Sequence, residues 1–217
     1  MEIVIPSAAN LGLFVVAAVV LLVVPGPAVL YIVARSMAQG RKAGLMSDIG
    51  IHSATLVHVM AAALGLSALL ASSAVAFSVV KYAGAAYLIW IGLKKIFGRD
   101  EEDADIGAGM KARSYGRLFR DGFVVNLLNP KTALFFLAFL PQFIEVERGH
   151  VAMQIAFLGL VFTLLGFISD GCYALAAGAL GERLRQSRAY LRFERYVSGV
   201  LFIGLGVSAA FAGNNRK

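Results

Sequence analysis

Apolar stretches long enough to cross a bilayer occupy most of this 217-residue sequence, and two of them carry proline at mid-length. Residues 25–27 read Pro-Gly-Pro inside the first stretch, and residues 129–130 read Asn-Pro inside the fourth. Proline has no amide hydrogen. Pro25 and Pro27 therefore free the carbonyls of Leu21 and Val23, and Pro130 frees that of Asn126. Bare lipid cannot satisfy such groups, so irregular backbone at that depth is buried in protein or lines a watery cavity. Interrupted helices in both halves of a chain point to the binding site of a secondary transporter.

The fold class expected is an all-α integral membrane protein with six transmembrane helices, of which the first and fourth are broken. The spans are about 9–34, 43–70, 75–97, 117–143, 151–181 and 194–213, each near the roughly 20 residues a bilayer core requires. Composition agrees: 59% of residues are hydrophobic and 15% charged, where a soluble domain has about half and a quarter. The length allows one domain, residues 1–217. The start lacks the basic region and small-residue site of a cleaved signal, so span 1 is expected to stay in the mature protein. The lone Cys172 excludes an intrachain disulfide and a thiol relay.

Charge sets the expected orientation. The connections after spans 1, 3 and 5 hold 15 Lys and Arg residues, the opposite side holds 4, and Lys131 lies within a span. Positive residues stay cytoplasmic, so both termini are expected outside the cytoplasm. The net charge of +7 follows this topology and is no nucleic-acid signal. Residues 98–116 read as a charged cytoplasmic loop. The Arg-rich 183–195 segment reads as a topology determinant facing anionic lipid.

A weak repeat is visible. Gly44-Leu45-Met46-Ser47-Asp48 in span 2 answers Gly166-Phe167-Ile168-Ser169-Asp170 in span 5, and Lys81-Tyr82 answers Arg195-Tyr196. With Pro25 and Pro130, the order repeats twice. Three spans per half give opposite topologies, a 3+3 inverted repeat with halves 1–97 and 117–217.

Ionisable groups inside a bilayer are costly and normally face the bundle interior along a pathway. Asp48, His52 and Thr55 share one helical face. Thr163, Gly166, Asp170, Tyr173 and Ala177 form another stripe, and Asn126 and Asn129 share a third. Asp170 is the deepest acid. Asp48 either works there or reaches back to the interface. Lys131 either balances Asp170 or holds a substrate carboxylate. His52 and His58 read as packing or hydrogen-bonding residues rather than ligands. The run Phe135-Phe136-Leu137-Ala138-Phe139 reads as lipid-facing or packed helix surface.

The sequence resembles the LysE/RhtB family of bacterial amino-acid exporters over nearly its whole length. The matching pieces are PGPAVLYIVARSMAQGRKAG at 25–44, GLSALL at 65–70, KYAGAAYLIWIGLKK at 81–95, GFVVNLLNPKTALFFLAFLPQF at 122–143 and RYVSGVLFIGLGV at 195–207. The Pro-Gly-Pro and the Asn-Pro-Lys followed by Phe-Phe are the specific parts. An Asp in span 5 followed closely by Trp-Tyr is common in such proteins. Asp170 and Tyr173 fit that pattern, with Cys172 where an aromatic is frequent. The resemblance implies export of an amino acid or derivative across the bacterial inner membrane, driven by the proton gradient. No residue identifies the amino acid.

On this reading substrate meets Pro25, Gly26, Pro27, Asn126, Asn129, Pro130, Lys131, Asp170 and Tyr173, and protons are exchanged at Asp48 and Asp170. A zwitterion needs N–H groups or Lys131 for its carboxylate, and carbonyls or Asp170 for its ammonium. No cofactor and no bound metal are expected. The expected partners are the substrate, protons and membrane lipid, with a homodimer as a further assembly. An enzyme is not expected: Ser53 and His52 are adjacent and do not face each other on a helix. The alternative is a divalent-metal exporter using Asp48, His52 and Asp170, although the sequence has no dense His/Asp/Glu cluster.

Overall fold

The computed structural model describes residues 6–23, 25–72 and 112–185, with isolated helical positions between 79 and 97 and between 196 and 207. Among the described residues every element is helical: α1 (Ala8–Val23), α2 (Pro27–Gln39), α3 (Arg41–Ser72), α4 (Tyr115–Leu127), α5 (Pro130–Leu134) and α6 (Val151–Arg185). A π-helical turn over Phe135–Phe139 and 3₁₀ turns over Leu140–Phe143 and Val146–Arg148 follow α5.

Two stretches, Arg41–Gly65 and Val151–Ala179, are unbroken and apolar enough to cross a membrane. The pair α1–α2 bends by 50° at Pro-Gly-Pro, and α4 bends by 48° into the stretch Pro130–Phe143. Spans 1, 2, 4 and 5 are thus found, with both breaks where proline requires them. Apart from isolated positions, spans 3 and 6 lie outside the described residues, as do residues 98–111 of the charged loop and most of the Arg-rich segment.

Local chemistry fixes each break. Pro27 takes the first position of α2, where a missing N–H costs nothing, and extended Gly26 precedes it. At the second break Asn129 caps α5, its side chain accepting from the Lys131 amide at 3.0 Å, with Pro130 at the first position. Gly40 closes α2 at a φ of +87°, a conformation other residues resist.

The two ends of the bundle are tied separately. At one end Gln39 exchanges hydrogen bonds with the Arg113 backbone, donating at 2.6 Å and accepting at 2.8 Å. At the other end Glu145 Oε1 accepts from the Ser7 amide at 3.0 Å and from Asn10 Nδ2 at 2.8 Å, while Arg148 approaches Oε2 at 3.2 Å. Buried Gln154 holds the Glu145 backbone at both its N–H and its carbonyl.

Hydrogen bonds from Ser7, reinforced by Arg148 and Asn10, keep the Glu145 carboxyl below its ordinary value. A depressed carboxyl contributes stability above its unfolded value, about 4.3, and loses it as pH falls through the folded one. Melting of the detergent-solubilised protein at pH 7 and pH 3.5 tests this. The wild type should lose more stability on acidification than Glu145→Gln. Equal losses would mean that the carboxyl does not fasten α1.

The core is aromatic. Phe135 stacks on Phe162 with centroids 4.2 Å apart, and Phe14, Phe136, Phe139 and Leu158 close around them. The 135–139 run is therefore packed rather than lipid-facing, with only Leu137 exposed, at 43%. Many large apolar side chains among the described residues are exposed instead: Leu64 is 74% exposed, Ile168 65% and Leu13 63%. Large apolar side chains exposed along these helices suit lipid contact. α3 and α4 pack backbone to backbone. A Cβ on Gly50 would overlap the Phe119 carbonyl, and one on Gly122 the Ser47 carbonyl.

Candidate functional site at the two helix breaks

The carbonyls that proline frees all receive side-chain donors from elsewhere in the bundle. Lys131 Nζ donates to the Leu21 carbonyl at 2.8 Å. The Tyr173 hydroxyl donates to the Val23 carbonyl at 2.6 Å. His58 Nε2 lies 3.1 Å from the Asn126 carbonyl. The second break thus supplies the cap of the first, and α6 supplies the other. His58, read from the sequence only as a packing or hydrogen-bonding residue, is the cap of the second break. Its ring also stacks on Phe136.

Asn126 ties the second break to α3. Its amide donates to the Ile51 carbonyl and to Thr55 Oγ1, both at 2.9 Å. Its Oδ1 accepts from Thr132 at 2.8 Å and from Asn129 at 3.3 Å. With Asn126 and Asn129 buried, this network satisfies amides that would otherwise be costly at that depth. Thr55 belonged to a stripe seen in the sequence; Thr132 did not, because its role depends on the α5 turn.

Beside this network three ionisable groups meet. His52 Nε2 lies 3.1 Å from Asp48 Oδ1 and 3.3 Å from Asp170 Oδ2. Asp48 is fully buried, so it does not reach for the interface; Asp170 is 4% and His52 6% exposed. Neither contact is an aligned hydrogen bond, and His52 Nδ1 and Asp170 Oδ1 have no partner among the described residues. The ring has room because Gly166 faces it: a Cβ there would overlap the imidazole edge. Two carboxylates around one imidazole nitrogen make a place where a proton has three nearby acceptors. Their ligating atoms all fall within 4.8 Å of one another, so the same trio is also able to hold a small cation.

A cavity of about 40 Å³ joins the breaks to the trio. It is lined by Leu21, Gly26, Asn126, Asn129, Lys131 and Asp170 among others, with Ile51 and Phe162 as apolar wall. This is space for about three water molecules. Of the sequence candidates, Gly26, Asn126, Asn129, Lys131 and Asp170 face it. Pro25, Pro27 and Pro130 shape the backbone around it, Tyr173 caps Val23 behind it, and Asp48 reaches it only through His52. His52, read from the sequence as a packing or hydrogen-bonding residue and otherwise only as a ligand in the metal-exporter alternative, stands at the centre of the trio. Its spacing of four residues from Asp48 was the available signal.

Comparison with known proteins follows the same outline. The profile of the LysE type translocator family matches residues 19–213. An uncharacterized membrane protein of Vibrio cholerae is 31% identical over 92% of this chain and 95% of its own. One from Bacillus subtilis is 27% identical over 90% of this chain and 95% of its own. A leucine efflux protein of Enterobacter is 26% identical over 93% of this chain and 95% of its own. No solved structure matches at a significant level.

Proposed function

The chain belongs to the LysE type translocator family, and on that premise we propose that it exports a zwitterionic amino acid from the bacterial cytoplasm in exchange for a proton. Relatives named as leucine efflux proteins favour an aliphatic amino acid of that class. The observation that carries the exchange is the Asp48–His52–Asp170 trio beside the cavity at the two breaks. A proton taken from outside binds the trio after the amino acid has left the cavity, and its release to the cytoplasm precedes loading of the next amino acid. Because His52 Nε2 contacts both carboxylates, the proton can pass between Asp170, at the cavity, and Asp48, behind it.

The breaks supply the substrate groups. Carbonyls at the end of α1 suit an ammonium, and Lys131 together with the start of α2 suits a carboxylate. Ile51 and Phe162 suit an aliphatic side chain. The cavity is too small for leucine's nine heavy atoms, so loading requires the halves to part. We read that motion as a rocking of two inverted three-span halves, with N and C termini outside the cytoplasm.

Inside-out membrane vesicles test the reading. With an acidic lumen, labelled leucine should accumulate well above control vesicles, and a protonophore should abolish the gradient. Valine, threonine and lysine should be ranked beside it. The close Asp–His–Asp grouping also favours one second reading, export of a divalent cation. Manganese or zinc accumulation in the same vesicles, with no amino acid accumulating, would replace the first reading by the second.

A further inference from the structure

Lys131 sits where a substrate group would be expected. Its ammonium lies on the Leu21 carbonyl, at the negative end of the α1 dipole. A primary ammonium is also what every α-amino acid carries. The backbone of Lys131 is fixed, its amide held by Asn129, so displacement would move the four-carbon tail and leave the backbone in place. Gly26 makes the path: a Cβ there would lie 3.1 Å from Lys131 Cδ and crowd the tail. The tail also lines the cavity that substrate must enter.

We propose that the Leu21 carbonyl is the ammonium subsite for the transported amino acid, and that Lys131 fills it as a built-in stand-in until substrate displaces it. This rests on the amino-acid reading and specifies how that site selects its ligand. The entering ammonium replaces the lysine ammonium on the carbonyl. The displaced Lys131 then pairs with the carboxylate of the same ligand, so no cation is stranded in a poorly solvated site. An amine alone frees Lys131 without giving it an anion. A carboxylate alone gives Lys131 an anion but leaves the carbonyl bare. Only a molecule carrying both groups restores both contacts, which makes the exchange itself a filter for zwitterions.

The test uses purified protein in lipid nanodiscs and three probes: 3-methylbutylamine, 4-methylpentanoate and tetramethylammonium. Lys131→Met empties the Leu21 carbonyl. It should bind 3-methylbutylamine about tenfold or more tightly than wild type does, the scale of one charge-assisted hydrogen bond. Binding of 4-methylpentanoate should weaken. Tetramethylammonium carries charge but no N–H and should gain little. Gly26→Ala keeps the lysine charge and nudges its tail away, so it should shift amine binding in the same direction, by less. It serves should Lys131→Met not fold. Unchanged amine binding in the variants, or an equal gain for tetramethylammonium, overturns the proposal. These readings need no transport, so a failure of amino-acid export in vesicles would be seen separately.

Discussion

Asp170→Asn is expected to leave the protein inserted and monodisperse but to bring proton-driven amino-acid accumulation down to the level of empty vesicles, a loss of about 100-fold or more. The reason is geometric. Asp170 is the carboxylate of the trio that faces the cavity, and His52 connects it to Asp48. Asparagine keeps the shape and cannot carry the proton. His52 retains Asp48 at 3.1 Å, so the buried imidazole is not abandoned and the fold should survive with a moderately lower melting temperature. Exchange of labelled for unlabelled leucine across the vesicle needs no net proton movement, and it should persist within about threefold of wild type. His52→Gln should behave alike. Protonophore-sensitive accumulation at the wild-type rate in Asp170→Asn would remove the trio from the mechanism. Loss of exchange as well would make Asp170 a substrate ligand rather than a proton carrier.

Gly50→Val and Gly122→Val are each expected to prevent accumulation of folded protein. At both positions the obstacle is a facing carbonyl, of Phe119 or Ser47, which has no rotamer with which to step aside. Helices α3 and α4 would have to separate. Overpacking of this kind costs about 1–3 kcal/mol even where side chains yield, and more where backbone must move. The damage would spread, because Ser47 precedes Asp48 and Gly122 lies one turn before Asn126. Gly12→Ala is the control: a Cβ there meets nothing, and the change should be neutral or slightly stabilising. Size-exclusion profiles and melting curves of the three variants decide. A wild-type melt from Gly50→Val would show that the close crossing is not required.

The outcome separates what local chemistry dictates from what assembly dictates. Pro25, Pro27 and Pro130 announce both breaks and name the orphaned carbonyls, because proline's effect is confined to its own turn. The caps were not readable as caps. Lys131, Tyr173 and His58 reach Leu21, Val23 and Asn126 from 110, 150 and 68 residues away, a proximity that only helix packing creates. The trio divides the same way. Asp48 and His52 share a face by helical period, whereas Asp170 joins them through tertiary packing. Among 23 glycines, nothing local distinguishes Gly50 and Gly122, since what matters is the backbone each one faces. The 135–139 run shows the converse. Its phenylalanines suit lipid and core equally, and the turn of α5 decides for the core.

The depth of the trio also bears on voltage. Asp48, His52 and Asp170 are closed off from the surface, so a proton that crosses by way of them traverses the insulating part of the protein. A zwitterion moving the other way carries no net charge. Under the proposed exchange each turnover therefore moves one positive charge inward, and the membrane potential works on it directly. At about 2.3 kcal/mol per 100 mV, the potential alone would sustain roughly a 50-fold amino-acid gradient at equal pH on both sides. An exporter built this way would keep working in a neutral medium as long as the cell stays polarised.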